Sequence, residues 1–214
     1  ISGVNDLNQF IQAEPITKDL NPAYGSIQKL YARDTNMVVF CEDKTLKVLV
    51  DKDALFSAGG NAQLTSSNKT LGQTIPFQGD YGISLNPESF AAYGFRVYYA
   101  DRNRNAILRL SGDGIEEITR YGMADFFKDQ FAANSRNFIT GTYDEDKQNY
   151  NITFEHPTNP DTISFTEKTK GWTSRKSFIP EDGISLNAKY YTFKNGEIWE
   201  HNANATRNKF YDSQ

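Results

Sequence analysis

Gly82-Ile-Ser-Leu-Asn86 recurs letter for letter at Gly183-Ile-Ser-Leu-Asn187. Behind the first copy come Phe95-Arg-Val-Tyr-Tyr-Ala100, a polar turn at Asp101-Arg-Asn-Arg-Asn105, and Ala106-Ile-Leu-Arg-Leu-Ser111. Behind the second come Lys189-Tyr-Tyr-Thr-Phe193, the turn Lys194-Asn-Gly196, and Glu197-Ile-Trp-Glu-His201. Both stretches read strand, turn, strand, and self-similarity of this kind predicts an array of one hairpin unit. The copies start 101 residues apart (183 minus 82), with another aromatic unit over residues 138–178 between them. The pentapeptide therefore marks every second unit and reads as a recurring lead-in to a strand, not as the repeat period. Neither copy carries a titratable side chain, which weighs against catalysis there.

Working outward, the first unit spans residues 27–50, with Asn36-Met-Val-Val-Phe-Cys41 and Thr45-Leu-Lys-Val-Leu-Val50 joined by a tight turn at Asp43-Lys44. The second unit covers 83–119, the third 138–178 as two successive hairpins, and the fourth 184–201. In the second, Ser111-Gly-Asp-Gly114 supplies residues that tolerate positive φ. Between the second and third, Gly122–Ala132 places Met123, Phe126, Phe127 and Phe131 on one helical face, the pattern of core packing. The expected fold class is all-β: a β-propeller-like array of about four antiparallel blades with one short helix. The alternative is a β-sandwich, since turn spacing does not separate radial from face-to-face packing. The propeller-like domain is placed at 27–203, after an irregular N-terminal arm (1–26) interrupted by Pro15 and Pro22 and before a C-terminal tail (204–214). Residues 51–80, with Gly59-Gly60 and many Ser, Thr and Asn, read as a long loop between units. The absence of an initiator Met and of a signal-peptide pattern reads as a piece of a larger chain.

Composition narrows the function classes. Aromatics make up 14% of the 214 residues, with 15 Phe and 12 Tyr, which suits cross-strand aromatic pairs. A formal net charge of −4 gives no electrostatic reason to expect nucleic acid or an anionic membrane as partner. The one dense basic stretch, Arg102-Asn-Arg104, falls in a turn and reads as solvated. Cys41, the single cysteine, precludes an internal disulfide, lies in an apolar run and has acidic neighbours, so it reads as a buried thiol. His156 and His201 belong to no metal-ligand spacing. No nucleophile elbow or phosphate-binding loop occurs. Asp101–Asn105 opens like a calcium loop but has Ala106 where Gly is needed and Gly112 where the bidentate Glu should stand.

Paired carboxylates were the remaining enzymatic option, because a retaining glycosidase needs two acids about 5 Å apart. Glu116 and Glu117 are neighbours on a strand and point to opposite faces. Asp144 to Asp146, and Glu181 with Asp182, sit in turns, where acids serve the backbone. Tyr98, Tyr99, Tyr190, Tyr191 and Trp199 could form a sugar-stacking platform only if they make one outward patch. The sequence therefore assigns no catalytic, cofactor-binding or metal-binding residue, no cofactor and no enzymatic activity.

Asn21-Pro-Ala-Tyr-Gly-Ser-Ile-Gln-Lys-Leu-Tyr-Ala-Arg-Asp34, Tyr81-Gly-Ile-Ser-Leu-Asn-Pro-Glu-Ser-Phe90, Gly171-Trp-Thr-Ser-Arg-Lys-Ser-Phe178 and Tyr190-Tyr-Thr-Phe-Lys-Asn-Gly-Glu-Ile-Trp199 carry a resemblance. In this order, over most of residues 5–201, the chain resembles large virion structural ("stabilization" or tail-associated) proteins of tailed bacteriophages, found among crAss-like and marine phages. The resemblance implies a tail or neck (connector) component acting through protein–protein contacts, in a virion assembled in the bacterial host cytoplasm. It implies partners among other tail, neck or portal-proximal proteins and copies of itself in a ring, with loop 51–80 and the 1–26 arm as contacts. It brings no catalytic residues. Two readings compete with it: a receptor- or glycan-binding propeller at the tail tip, and a glycoside hydrolase or depolymerase.

Overall fold

In the computed structural model, which describes residues 17–56, 62–133, 138–206 and 209–211, fifteen strands form four antiparallel sheets, each a meander in chain order. The first sheet holds β1 (Ile27–Arg33), β2 (Asn36–Cys41), β3 (Thr45–Phe56) and β4 (Ala62–Pro76). The second holds β5 (Ala91–Tyr93), β6 (Arg96–Asp101), β7 (Ala106–Ser111) and β8 (Gly114–Glu117). Helix α1 (Ala124–Ala133) follows. The third holds β9 (Ile139–Asp144), β10 (Asn149–Phe154), β11 (Asp161–Thr166) and β12 (Gly171–Lys176), and the fourth β13 (Asp182–Leu186), β14 (Lys189–Lys194) and β15 (Glu197–Glu200). The all-β class follows directly. The third unit, read as two successive hairpins, is a single four-stranded meander.

Residues 51–80 depart from the expected loop. Residues 51–56 and 62–76 are strands, and their pairing continues from Leu46 opposite Pro76 to Phe56 opposite Ala62. β2 pairs only with Thr45–Leu49 of β3, so the remainder of β3 and β4 runs on as a two-stranded arm. The Gly59-Gly60 tip lies outside the described residues, as do residues 1–16 of the N-terminal arm and parts of the C-terminal tail. Of that N-terminal arm, Leu20 and Tyr24 pack, beside Leu71 of β4, against Val39, Cys41, Leu46 and Val48 on the outer face of the first sheet, while Ile27 and Leu30 on the same face stay more than half exposed. Burial, with Glu42 beside it, raises the Cys41 thiol pKa.

Strand alternation distributes the core between sheets. Val97, Tyr99, Leu108 and Leu110 of the second sheet pack toward Val38 and Phe40 of the first. Tyr98, Ala100 and Ile107, one residue out of phase, pack toward Tyr143, Tyr150, Ile152 and Phe165 of the third. Helix α1 closes this second core: Phe127 and Phe131 are buried, and Phe127 meets Phe154 and Trp172 at ring-centroid distances of 6.1 and 4.4 Å. Met123 and Phe126 pack against the same cluster. The helical stripe read from sequence is a core stripe, as expected.

The two identical pentapeptides fold differently. Gly183–Leu186 lies within β13, and Asn187 and Ala188 (φ 51° and 59°) make the two-residue turn into β14. Gly82–Asn86 is not a strand: Ser84 takes φ 53°, and Asn86 leads into the 3-10 turn Pro87–Ser89. The expectation of a common strand lead-in is thus corrected for the first copy. The cause is the next residue. A turn like that of the second copy needs positive φ at its second position, which Pro87 is unable to adopt, and Pro87 also disfavours the helical region for Asn86, which sits at φ −124° and ψ 61°.

Candidate functional site

Each sheet is locked to the next by polar groups that the sequence offered as chemical candidates. Asp101, fully buried, accepts hydrogen bonds from Gly82 N–H (2.9 Å), Ser84 Oγ (2.9 Å) and Arg104 N–H. Arg104 pairs with Asp101 at 3.0 Å and with Asp43 in the first sheet at 3.2 Å. The turn that opens like a calcium loop is therefore an inter-sheet clamp, and Arg104 is a member of it, not a solvated charge. Glu116 and Glu117 do point apart. Glu116 meets Arg109 and Tyr121, while Glu117 meets Tyr81, Thr119 and Arg120. Arg109 also reaches Glu167 of the third sheet at 2.6 Å, and Glu167 accepts the Tyr98 hydroxyl at 2.7 Å.

Between the third and fourth sheets the buried layer is polar. Thr140, Thr142, Asp144, Asn151, Thr153, Thr162 and Ser164 are all buried, on the face opposite Ile139, Tyr143, Tyr150, Ile152 and Phe165. Thr142 bonds the Tyr190 hydroxyl at 2.7 Å, Ser164 donates to Asn151 at 2.6 Å, and Lys176 Nζ donates to Asn151 at 3.0 Å. His201 shares a 2.7 Å bond with Thr192 and lies against Phe178 and Tyr190. Burial shifts these groups in the directions expected of a low-dielectric layer. It raises the Asp144 pKa, lowers that of Lys176, and brings His201 down to about 4, with the Lys176 cation adding to the last. Such clusters occur at active sites, but here every shift has burial as its largest cause and the groups bond mostly to each other.

A cleft of about 290 Å³ opens where β5, β9 and β13 converge. Tyr93 and Tyr143 stack at 4.4 Å along it, and burial, with Tyr93 beside it, pushes the Tyr143 phenol up to about 12, so it stays protonated at neutral pH. Glu145 and Asp182 also line it, bringing together two acids that the sequence placed in separate turns. Asp182 accepts its neighbour's Gly183 N–H, and Glu181 accepts Asn195 N–H, which are backbone roles. His156 likewise accepts from Thr158 and Asn159 N–H in its loop. Among the described residues, no group of three His, Cys, Asp or Glu is placed to hold a metal ion. No described helix is long and apolar enough to cross a membrane.

The proposed sugar platform does not form from the residues named for it. Tyr98, Tyr99 and Tyr190 are buried in three different inter-sheet layers, and Tyr191 and Trp199 lie on opposite faces of the fourth sheet. What the structure does present, among the described residues, is an uncovered, largely apolar sheet face. Pairing of Ile184 with Tyr191, and of Phe193 with Ile198, sets these four on one face with Leu186. Ile184, Leu186 and Ile198 are 56%, 61% and 68% exposed. The sequence signalled this only as alternation, which does not say which face is covered. No protein-family model matches the chain, and no curated protein matches it either.

Proposed function

We propose that this chain is a structural component of a tailed-bacteriophage virion, a tail or neck module that works through protein–protein contacts and not through catalysis. The observation that carries the reading is the bare apolar face of the fourth sheet, a surface that asks for a protein partner. The two-stranded arm of β3 and β4 offers a second contact, and its unpaired edge is a template for another strand. Asp101 and Arg104, and Arg109 with Glu167, which might have served chemistry, are engaged between sheets. We read the four sheets as propeller-like blades, each stacked on the previous one. Partners on this reading are other tail, neck or portal-proximal proteins and further copies of the chain in a ring.

The test is the particle. Mass spectrometry of purified virions from a phage encoding the chain should recover it at a fixed stoichiometry, and a labelled antibody should mark the tail or neck. A chain absent from intact particles, or marking only the distal receptor-binding tip, would defeat the proposal.

A further inference from the structure

The buried polar side of the third sheet holds a lysine in an unusual place. Lys44, Lys147 and Lys189 each pair with a carboxylate. Lys176 does not: among the described residues it makes no ion pair, and it reaches inward from the edge strand β12, across β11, to β10. Its Nζ donates to Asn151 Oδ1 at 3.0 Å and lies 5.5 Å from the Phe178 ring centroid. Asn151 is fully buried, and its Oδ1 also accepts a bond from Ser164 Oγ at 2.6 Å. Its Nδ2 has no hydrogen-bond partner among the described residues. An amine is thus held against a carboxamide whose oxygen is polarised and whose nitrogen is left untied. Since a C=O bond is about 1.2 Å long, Nζ stands within about 4.2 Å of Asn151 Cγ. That is close to the separation from which attack begins.

We propose that Lys176 and Asn151 become joined by an isopeptide bond, made by the folded chain itself, which staples β12 to β10. The neutral Nζ attacks Asn151 Cγ, and the carbonyl electron pair moves onto Oδ1, where the Ser164 hydroxyl stabilises the charge. The carbonyl then reforms, the Cγ–Nδ2 bond breaks, and an amine proton passes to Nδ2, which leaves as ammonia. One C–N bond forms, one breaks, and no atom changes oxidation state. Burial favours the protonation states this needs. It lowers the Lys176 pKa, which enriches the free amine, and raises that of Asp144, the carboxyl whose charge reaches Lys176. Asp144 stands on the same face, two residues from the Thr142 that lies opposite Asn151, and relays the proton. Tyr190, bonded to Thr142, and Phe178 are both buried and keep water from the site. An edge strand opens more readily than a central one, so the bond fastens the part of the sheet that would peel first.

This inference needs only the third sheet and not the virion reading, so either stands if the other fails. The experiment is intact-mass spectrometry of the purified 214-residue chain, followed over time at neutral pH, with tandem spectrometry of its tryptic digest. The expected result is a mass below that of the 24.2 kDa sequence by one ammonia, and a branched peptide joining the segments that hold Asn151 and Lys176. Lys176→Met and Asn151→Ala should each keep their full mass with an unchanged circular dichroism spectrum. Asn151→Asp should still close, losing water in place of ammonia and giving the same branched peptide. Asp144→Asn should slow closure about tenfold without altering the spectrum. The native chain decides by itself, whether or not a variant folds: a folded chain that keeps its full sequence mass overturns the proposal. So does an ammonia loss that survives Lys176→Met, which would place it at another amide, and a closure rate indifferent to Asp144→Asn overturns the proton relay.

Discussion

Two copies of Gly-Ile-Ser-Leu-Asn in different conformations show how little a short motif decides. Ala188 sits at φ 59°, where an L-residue with a Cβ is strained and glycine is not. Ala188→Gly should therefore raise stability by about 0.5 kcal/mol, the relief of that strain exceeding the added freedom of the unfolded chain. Ala188→Pro should remove the β13–β14 turn altogether. Urea midpoints of the two variants check the pair, and equal effects would refute the account. The glycines of the two copies differ as well. A Cβ at Gly82 would overlap the backbone carbonyl of Glu42, whereas one at Gly183 would meet Thr142 Cγ2 at 3.0 Å and Tyr191 O at 3.1 Å. Gly82→Ala should cost about 2–3 kcal/mol and Gly183→Ala distinctly less, read from the same denaturation curves. These differences depend on which backbone lies opposite, so only Pro87 was legible in the sequence.

At the scale of elements, helix α1 is the best-read feature of the chain and β3–β4 the worst. The helix announced itself through apolar spacing, and the sheet it packs on uses the same residues it presented. Phe127→Ala should cost about 3–5 kcal/mol by opening a cavity beside Phe154 and Trp172. Phe126→Ala, at a partly covered position, should cost well under half of that. A smaller loss at Phe127 than at Phe126 would show the helix rotated. Residues 62–76 hid because Ser, Thr, Asn, Gln and Lys dominate them, and strand propensity in such a segment comes from pairing with β3, not from its own side chains. In the third sheet, alternation located the strands without saying what covers either side: the polar side of β9, β10 and β11 is buried.

For the whole molecule, that polar layer should set the acid stability. His201 titrates at about 4 in the folded chain, against about 6.5 unfolded. Between those values the unfolded state binds more protons, so stability falls as pH drops through this window. The loss should be about 2–3 kcal/mol between about pH 7 and about pH 4.5. Asp144, with its pKa raised by burial, acts in the opposite sense at the acid end. His201→Gln should flatten the slope in paired urea titrations at the two pH values, and an unchanged slope would remove His201 from the account. The sequence by itself determined the all-β class, the number of hairpin units and the helix, because these depend on side-chain period and residue type along the chain. Tertiary structure alone decided which copy of the pentapeptide is a strand, which acids and arginines clamp sheets together, and which apolar face is left bare. Each of those depends on what the neighbouring sheet places opposite, and alternation specifies two faces of a strand without saying what will cover either.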